Sequence, residues 1–144
     1  MADPHHLERF VEAQDRGGAF DAAVRELRAG RKTSHWIWFV FPQLRGLGHS
    51  VMADEYGIDS RDEALAYLTH DVLGPRLRTC TRLVSSVPGR SVDLMMGSVD
   101  ALKLKSSMTL FAHVSDDDPD FAEVLDQCYG GQRDTQTLRM LESR

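Results

Sequence analysis

The chain has 144 residues, 42% of them apolar, 27% charged and 8% aromatic, a balance that excludes collagenous, disordered and disulfide-scaffold classes. A chain of this length removes roughly 68% of its unfolded surface from water, enough for one sizeable core, so a single domain over 1–144 is expected. Its 22 Asp and Glu against 17 Lys and Arg give a formal charge of −5, the opposite of the footprint of a protein that coats a phosphate backbone, so nucleic acid is not expected as a partner.

Taken in chain order, the pattern predicts about seven short helices, punctuated by Gly, Pro and capping residues and free of repeats. Asp3-Pro4 reads as an N-cap with Pro at the first helical position, and Leu7, Phe10 and Val11 follow at helical spacing until Gly17-Gly18. Phe20, Ala23, Val24 and Leu27 form the stripe of a second helix, closed by Gly30, with Arg28, Arg31 and Lys32 where the negative end of the helix dipole favours cations. Trp36 to Phe41 is the only run with strand character. Ser34 before it and Pro42 after it favour one or two buried helical turns over an isolated strand with nothing to pair with.

Farther along, Ser60 to Glu63 matches a capping box, with Ala64, Tyr67 and Leu68 facing inward behind it. After a break at His70, the helical period runs from Val72 to Val84, with Gly74-Pro75 near its start and Pro88-Gly89 beyond its end. Ser91 to Met96 is a short apolar piece. Ser98 is placed to cap a longer helix carrying Leu104, Met108 and Phe111, Asp118-Pro119 opens the next, Gly130-Gly131 close it, and Asp134 caps the last. The fold class expected is therefore all-α, a compact multi-helix domain. Met1 to Phe10 lacks the apolar stretch of a secretory signal. The longest apolar run is far short of the ~18 residues of a membrane span. Cys80 and Cys128 stand alone, as small buried hydrophobes of a reducing compartment do. A cytoplasmic location without membrane partners follows as an expectation.

Reactive and anchoring groups concentrate in two stretches. The first, 32–50, holds Lys32, His35, both tryptophans (Trp36 and Trp38), Gln43, Gly46, Gly48 and Ser50. Donors, acceptors and flat walls of this kind are the ingredients of a pocket for a planar or anionic ligand. The plain alternatives are core packing for the tryptophans, a local hydrogen bond for His35 and an ordinary turn for the glycines, which fit neither a dinucleotide fingerprint nor a nucleoside-triphosphate loop. In the second stretch, Asp100, Lys103 and Ser107 at i, i+3 and i+7 place a carboxylate, an ammonium and a hydroxyl on one helical face. Such a face is catalytic, or simply an exposed ion pair beside a satisfied hydroxyl. No histidine, cysteine or carboxylate spacing calls for a metal, and no cofactor motif is present. The Asp116-Asp117-Asp118 run reads as a solvated loop that charges the next helix start.

These residues are also where the chain resembles a known family, the domain of unknown function 1810. The resemblance rests on Lys32-x-Ser34-His35-Trp36-x-Trp38 with Pro42-Gln43 and Gly46-Leu47-Gly48-x-Ser50, on Tyr56, and on Glu63-Ala64-x-x-Tyr67-Leu68 with Leu73-Gly74-x-Arg76-Leu77. It continues in Asp100-x-x-Lys103-Leu104-x-Ser106 through Phe111 and in Gly131-x-x-Asp134-x-x-Thr137-Leu138. It implies a compact, mainly helical fold and no catalytic assignment. Some members carry a calpastatin label, but an inhibitor of that kind is expected to be disordered and repetitive, and this chain is neither.

The signature draws polar positions from remote stretches, which implies that Lys32, His35, Gln43, Arg76, Asp100, Lys103 and Ser107 converge on one cleft. The leading expectation is an anionic, nucleotide-derived small molecule in that cleft. If the chain is an enzyme, hydrolysis or group transfer is the expected chemistry. His35 and Asp100 then move protons, Ser107 completes the reactive face, Lys103 and Arg76 neutralise oxygens, and Trp36 or Trp38 stacks on a ring. The alternative is a non-enzymatic module that docks a protein partner through its tryptophan-rich segment. A third reading, RNA along Arg25, Arg28, Arg31 and Lys32, is opposed by the net charge.

Overall fold

The computed structural model describes residues 2–86 and 91–144. Among them are ten α-helices: α1 (Glu8–Asp15), α2 (Ala19–Arg28), α3 (Ile37–Val40), α4 (Val51–Glu55), α5 (Arg61–Thr69), α6 (Leu73–Ser85), α7 (Val92–Met96), α8 (Ser98–Val114), α9 (Pro119–Tyr129) and α10 (Thr135–Glu142). Seven of these have eight residues or more, and the three short ones raise the count above the seven expected. No strand is present among the described residues, so the chain is all-α.

The caps do much of what their residue types promise. Ser60 accepts from the Glu63 N–H, and Glu63 reaches back past the N-cap to the Asp59 N–H, one residue beyond the usual capping-box partner. Asp118 and Asp134 cap α9 and α10, and Gly130 ends α9 in the left-handed region with φ 62°. His70 does more than break the chain, because its Nδ1 accepts from the N–H groups of Val72 and Leu73 and so covers the start of α6. Gly74 follows because nothing larger fits: a Cβ there would lie 2.2 Å from the Leu68 carbonyl oxygen.

Four local expectations change. Asp3 does cap, accepting from the N–H groups of Leu7 and Glu8, but α1 begins only at Glu8 because the intervening turn passes through a left-handed His6. Ser34 does not cap α3; its hydroxyl donates to Glu26, and Trp36 takes the cap position without a side-chain bond. Gly97, not Ser98, precedes α8. The segment after α3 has a partner after all, since Leu44 and Ile58 form an isolated parallel bridge with Arg45 N–H to Ile58 O and Ile58 N–H to Gln43 O both at 2.9 Å. The proposed Pro88-Gly89 helix stop lies outside the described residues.

The centre is α8, which packs against α3, α5, α7, α9 and α10. From Ser106 to Ala112 every residue of it is buried, as a helix enclosed on all sides requires. Buried apolar residues from Leu7 to Leu141 form one contiguous cluster. Phe10, Tyr67, Phe111 and Phe121 run through it as a chain of ring contacts with centroids 5.0 to 5.8 Å apart. The α3 turn packs directly on α8, and this carries the first polar stretch to the second.

Candidate functional site

The loop from Arg31 to Trp36 is built around Glu26, on the last turn of α2. Its carboxylate accepts from the Thr33 N–H at 2.7 Å, the Ser34 N–H at 2.9 Å, the Ser34 hydroxyl at 2.5 Å and the Trp36 indole N–H at 3.0 Å. Burial raises its pKa, but the bonds from Ser34, Thr33 and Trp36 outweigh burial and bring it down to about 2. Glu26 is the residue that the reading of the sequence missed. The available signal was an acid three positions after Ala23 on the buried stripe of α2.

Shaped in this way, the loop hands Lys32 across to α8. The Lys32 N–H donates to the Met95 carbonyl at 2.7 Å. Its Nζ lies 2.8 Å from Asp100 Oδ2, donates to the Ser34 carbonyl at 2.5 Å and sits 5.0 Å from the centre of the Trp36 ring. Lys103 approaches the other Asp100 oxygen at 3.4 Å. Lys32, Asp100 and Lys103 thus form one ionic group with a positive charge in excess, and Lys32, only 6% exposed, is its anchored member.

Beside this group lies a small cavity lined by Trp38, Phe41, Gln43, Ala53, Tyr56 and Lys103. It offers a water's centre about 10 Å³, room for a single water. The Trp38 indole N–H is buried with no acceptor among the described residues, and the same is true of the Ser107 hydroxyl one turn beyond Lys103 on α8. Gly48 closes the loop over this region, since a Cβ on it would stand 2.8 Å from Ala53 Cβ and 3.4 Å from Gln43 Nε2.

The other candidates lie apart or have local duties. Trp36 is 1% exposed with its N–H bound to Glu26, so it is core and presents no docking face. His35 is exposed and makes no hydrogen bond to Asp100 among the described residues. Ser50 caps α4 by accepting from the Ala53 N–H. A Cβ on Gly46 would meet the Met140 methyl at 3.2 Å and Arg144 Nη2 at 3.4 Å, so this glycine faces the C-terminal helix. Arg76 belongs to a different group: it pairs with Asp15 at 2.9 Å, donates to Gln14 Oε1 at 3.2 Å and covers Phe20 at 4.8 Å, all on the α1–α2 side of α6. The two free cysteines have thiols raised by burial, Cys80 to about 12, which disfavours the reactive thiolate. No group of three or more potential metal ligands occurs among the described residues, and none of their helices is long and apolar enough to cross a membrane.

The model of a family described as "Protein of unknown function (DUF1810)" matches residues 4–141. Among solved structures, the conserved hypothetical protein Rv1873 from Mycobacterium tuberculosis is 55% identical, with a TM-score of 0.94 over 97% of this chain and 99% of that one. No curated protein matches.

Proposed function

We propose, for a chain that belongs to the DUF1810 family of proteins of unknown function, that Lys103, Trp38 and Gln43 bind a small anionic ligand. One oxygen of the ligand lodges in the water-sized cavity, and the rest, including any nucleoside or sugar, lies outside it. The observation that carries this reading is the buried Trp38 N–H without an acceptor, in a residue that lines the cavity together with Lys103. A buried donor left unpaired costs about 1–3 kcal/mol. An anionic oxygen in the cavity relieves that cost and meets the lysine charge at the same time.

Asp100 and Lys32 serve this site by holding Lys103 in place. Both Asp100 oxygens are engaged by ammonium groups, and His35 makes no hydrogen bond or ion pair with them among the described residues, so binding has more support than proton transfer by that pair. The cavity also bounds the ligand: a single terminal oxygen enters, and a buried ring does not.

Thermal denaturation with inorganic phosphate, sugar phosphates and nucleoside monophosphates tests the reading. Ligand at 100 times its Kd adds about 2.7 kcal/mol, a rise in Tm of several degrees for a chain of this size. At least one of these anions is expected to raise Tm in the unaltered protein, and to raise it less in Lys103→Ala and in Trp38→Phe, which keeps the ring and removes the donor. No rise with any anion, or equal rises in all three proteins, would reject the site.

A further inference from the structure

We infer that the groove between α2 and α6 is a second ligand site, separate from the Lys103 cavity, that takes a phosphate or carboxylate joined to an apolar or aromatic body. The groove is open to solvent, offers about 490 Å³ and is lined by Phe20, Asp21, Val24, Arg25, Arg28 and Thr79. Ligand sites in proteins span about 300–1,000 Å³ and combine an apolar floor with a few polar groups. Phe20 and Val24 supply that floor, both partly buried and packed on the core.

The charges point to the head group. Asp21, Arg25 and Arg28 stand at i, i+4 and i+7, so they share one face of α2, with the acid at one end and the two guanidinium groups at the other. Most described arginines outside this helix are spent on carboxylates: Arg9, Arg45, Arg76, Arg78, Arg82 and Arg133 each have one within 4 Å. Arg25 and Arg28 are exposed and form no such pair, although Asp21 is one turn from Arg25 and the chain as a whole is acidic. Attraction to the negative end of the helix dipole accounts for cations in this turn, but not for the apolar trough beneath them. Two arginines one turn apart can turn their forks to the oxygens of a phosphate or carboxylate, and Thr79 lines the same groove. Asp21 restricts the ligand to an anion at one end only.

The sequence groups Lys32 with these arginines as a basic edge, and the structure separates them. Lys32 is drawn to Asp100, which leaves a discrete groove and removes the continuous cationic strip that a nucleic-acid backbone needs.

The test uses phenyl phosphate and inorganic phosphate as probes, with affinities from calorimetry and the binding site from amide resonances of the full chain. Phenyl phosphate should shift residues 20–28 and Thr79 and bind at least about fivefold more tightly than inorganic phosphate, because the ring covers Phe20 and Val24. The double variant R25Q/R28Q should lose about tenfold in affinity with Tm unchanged, since both side chains are exposed. R16Q/R139Q, which removes the same charge elsewhere, should lose less than about twofold. Equal losses in the two double variants, equal affinities for the two probes, or shifts confined to other residues would each overturn the inference.

Discussion

Glu26 shows how one side chain sets the geometry of the region around it. Four donors converge on its carboxylate, and its pKa of about 2 sits well below the ordinary 4.5. A carboxylate whose folded pKa is depressed contributes stability above its unfolded pKa and loses it as pH falls through the folded one. Glu26 is therefore expected to contribute about 3 kcal/mol above pH ~4.5, lost progressively between about pH 4.5 and 2. Comparing Glu26→Gln with the unaltered protein by urea denaturation should show a large stability deficit at pH 7 that narrows toward pH 2. A deficit that stays constant over this range would show that the carboxylate charge is not what holds the loop. The role was hard to read in the sequence because an acid near a helix end looks like a solvated residue. Only its phase with Ala23 placed it inward, and the four donors come from a loop whose path no local pattern dictates.

Helices α5 and α6 show what was legible at the next scale. Their caps are local and chemical, so Ser60, Glu63 and His70 marked the boundary correctly, and Gly74 acquires its reason only from the packing. Because an added Cβ would collide with the Leu68 backbone oxygen, which no rotamer change can relieve, Gly74→Ala should cost about 3 kcal/mol or more. Calorimetric Tm is the readout; a loss below about 1 kcal/mol would mean that the α5–α6 corner is softer than its geometry implies. Boundaries that depend on distant contacts were less legible. The left-handed turn at His6 delays α1, and the Leu44–Ile58 bridge escaped because a pairing this short leaves no alternating pattern to detect.

At the scale of the whole molecule, α8 is the organising element: it is enclosed in its middle turns, and its first turns meet the loop after α2. Sequence signature suggested that polar residues from 32–50 and 100–107 belong together, and the Lys32–Asp100 pair at 2.8 Å joins them. The same signature pointed to Arg76, which instead faces Asp15, because motif residues report shared structural duties as readily as shared chemistry. It also suggested one cleft for an anionic, nucleotide-derived molecule, whereas close packing of α3 on α8 leaves one water's volume and, among the described residues, two buried polar groups without partners. What the described residues present here is a charged edge beside a water-sized cavity.

The indole resonances report on that cavity. The chain has two tryptophans, so its ¹⁵N spectrum holds two indole N–H signals, one from Trp36 bonded to Glu26 and one from Trp38 without an acceptor, and Trp38→Phe assigns them. Titration with the anion whose effect on Tm falls most in Lys103→Ala should move the Trp38 signal saturably, leave the Trp36 signal in place, and move neither in Lys103→Ala. A Trp38 signal that stays fixed at saturating anion, or that moves equally without Lys103, would contradict an anion site at this cavity.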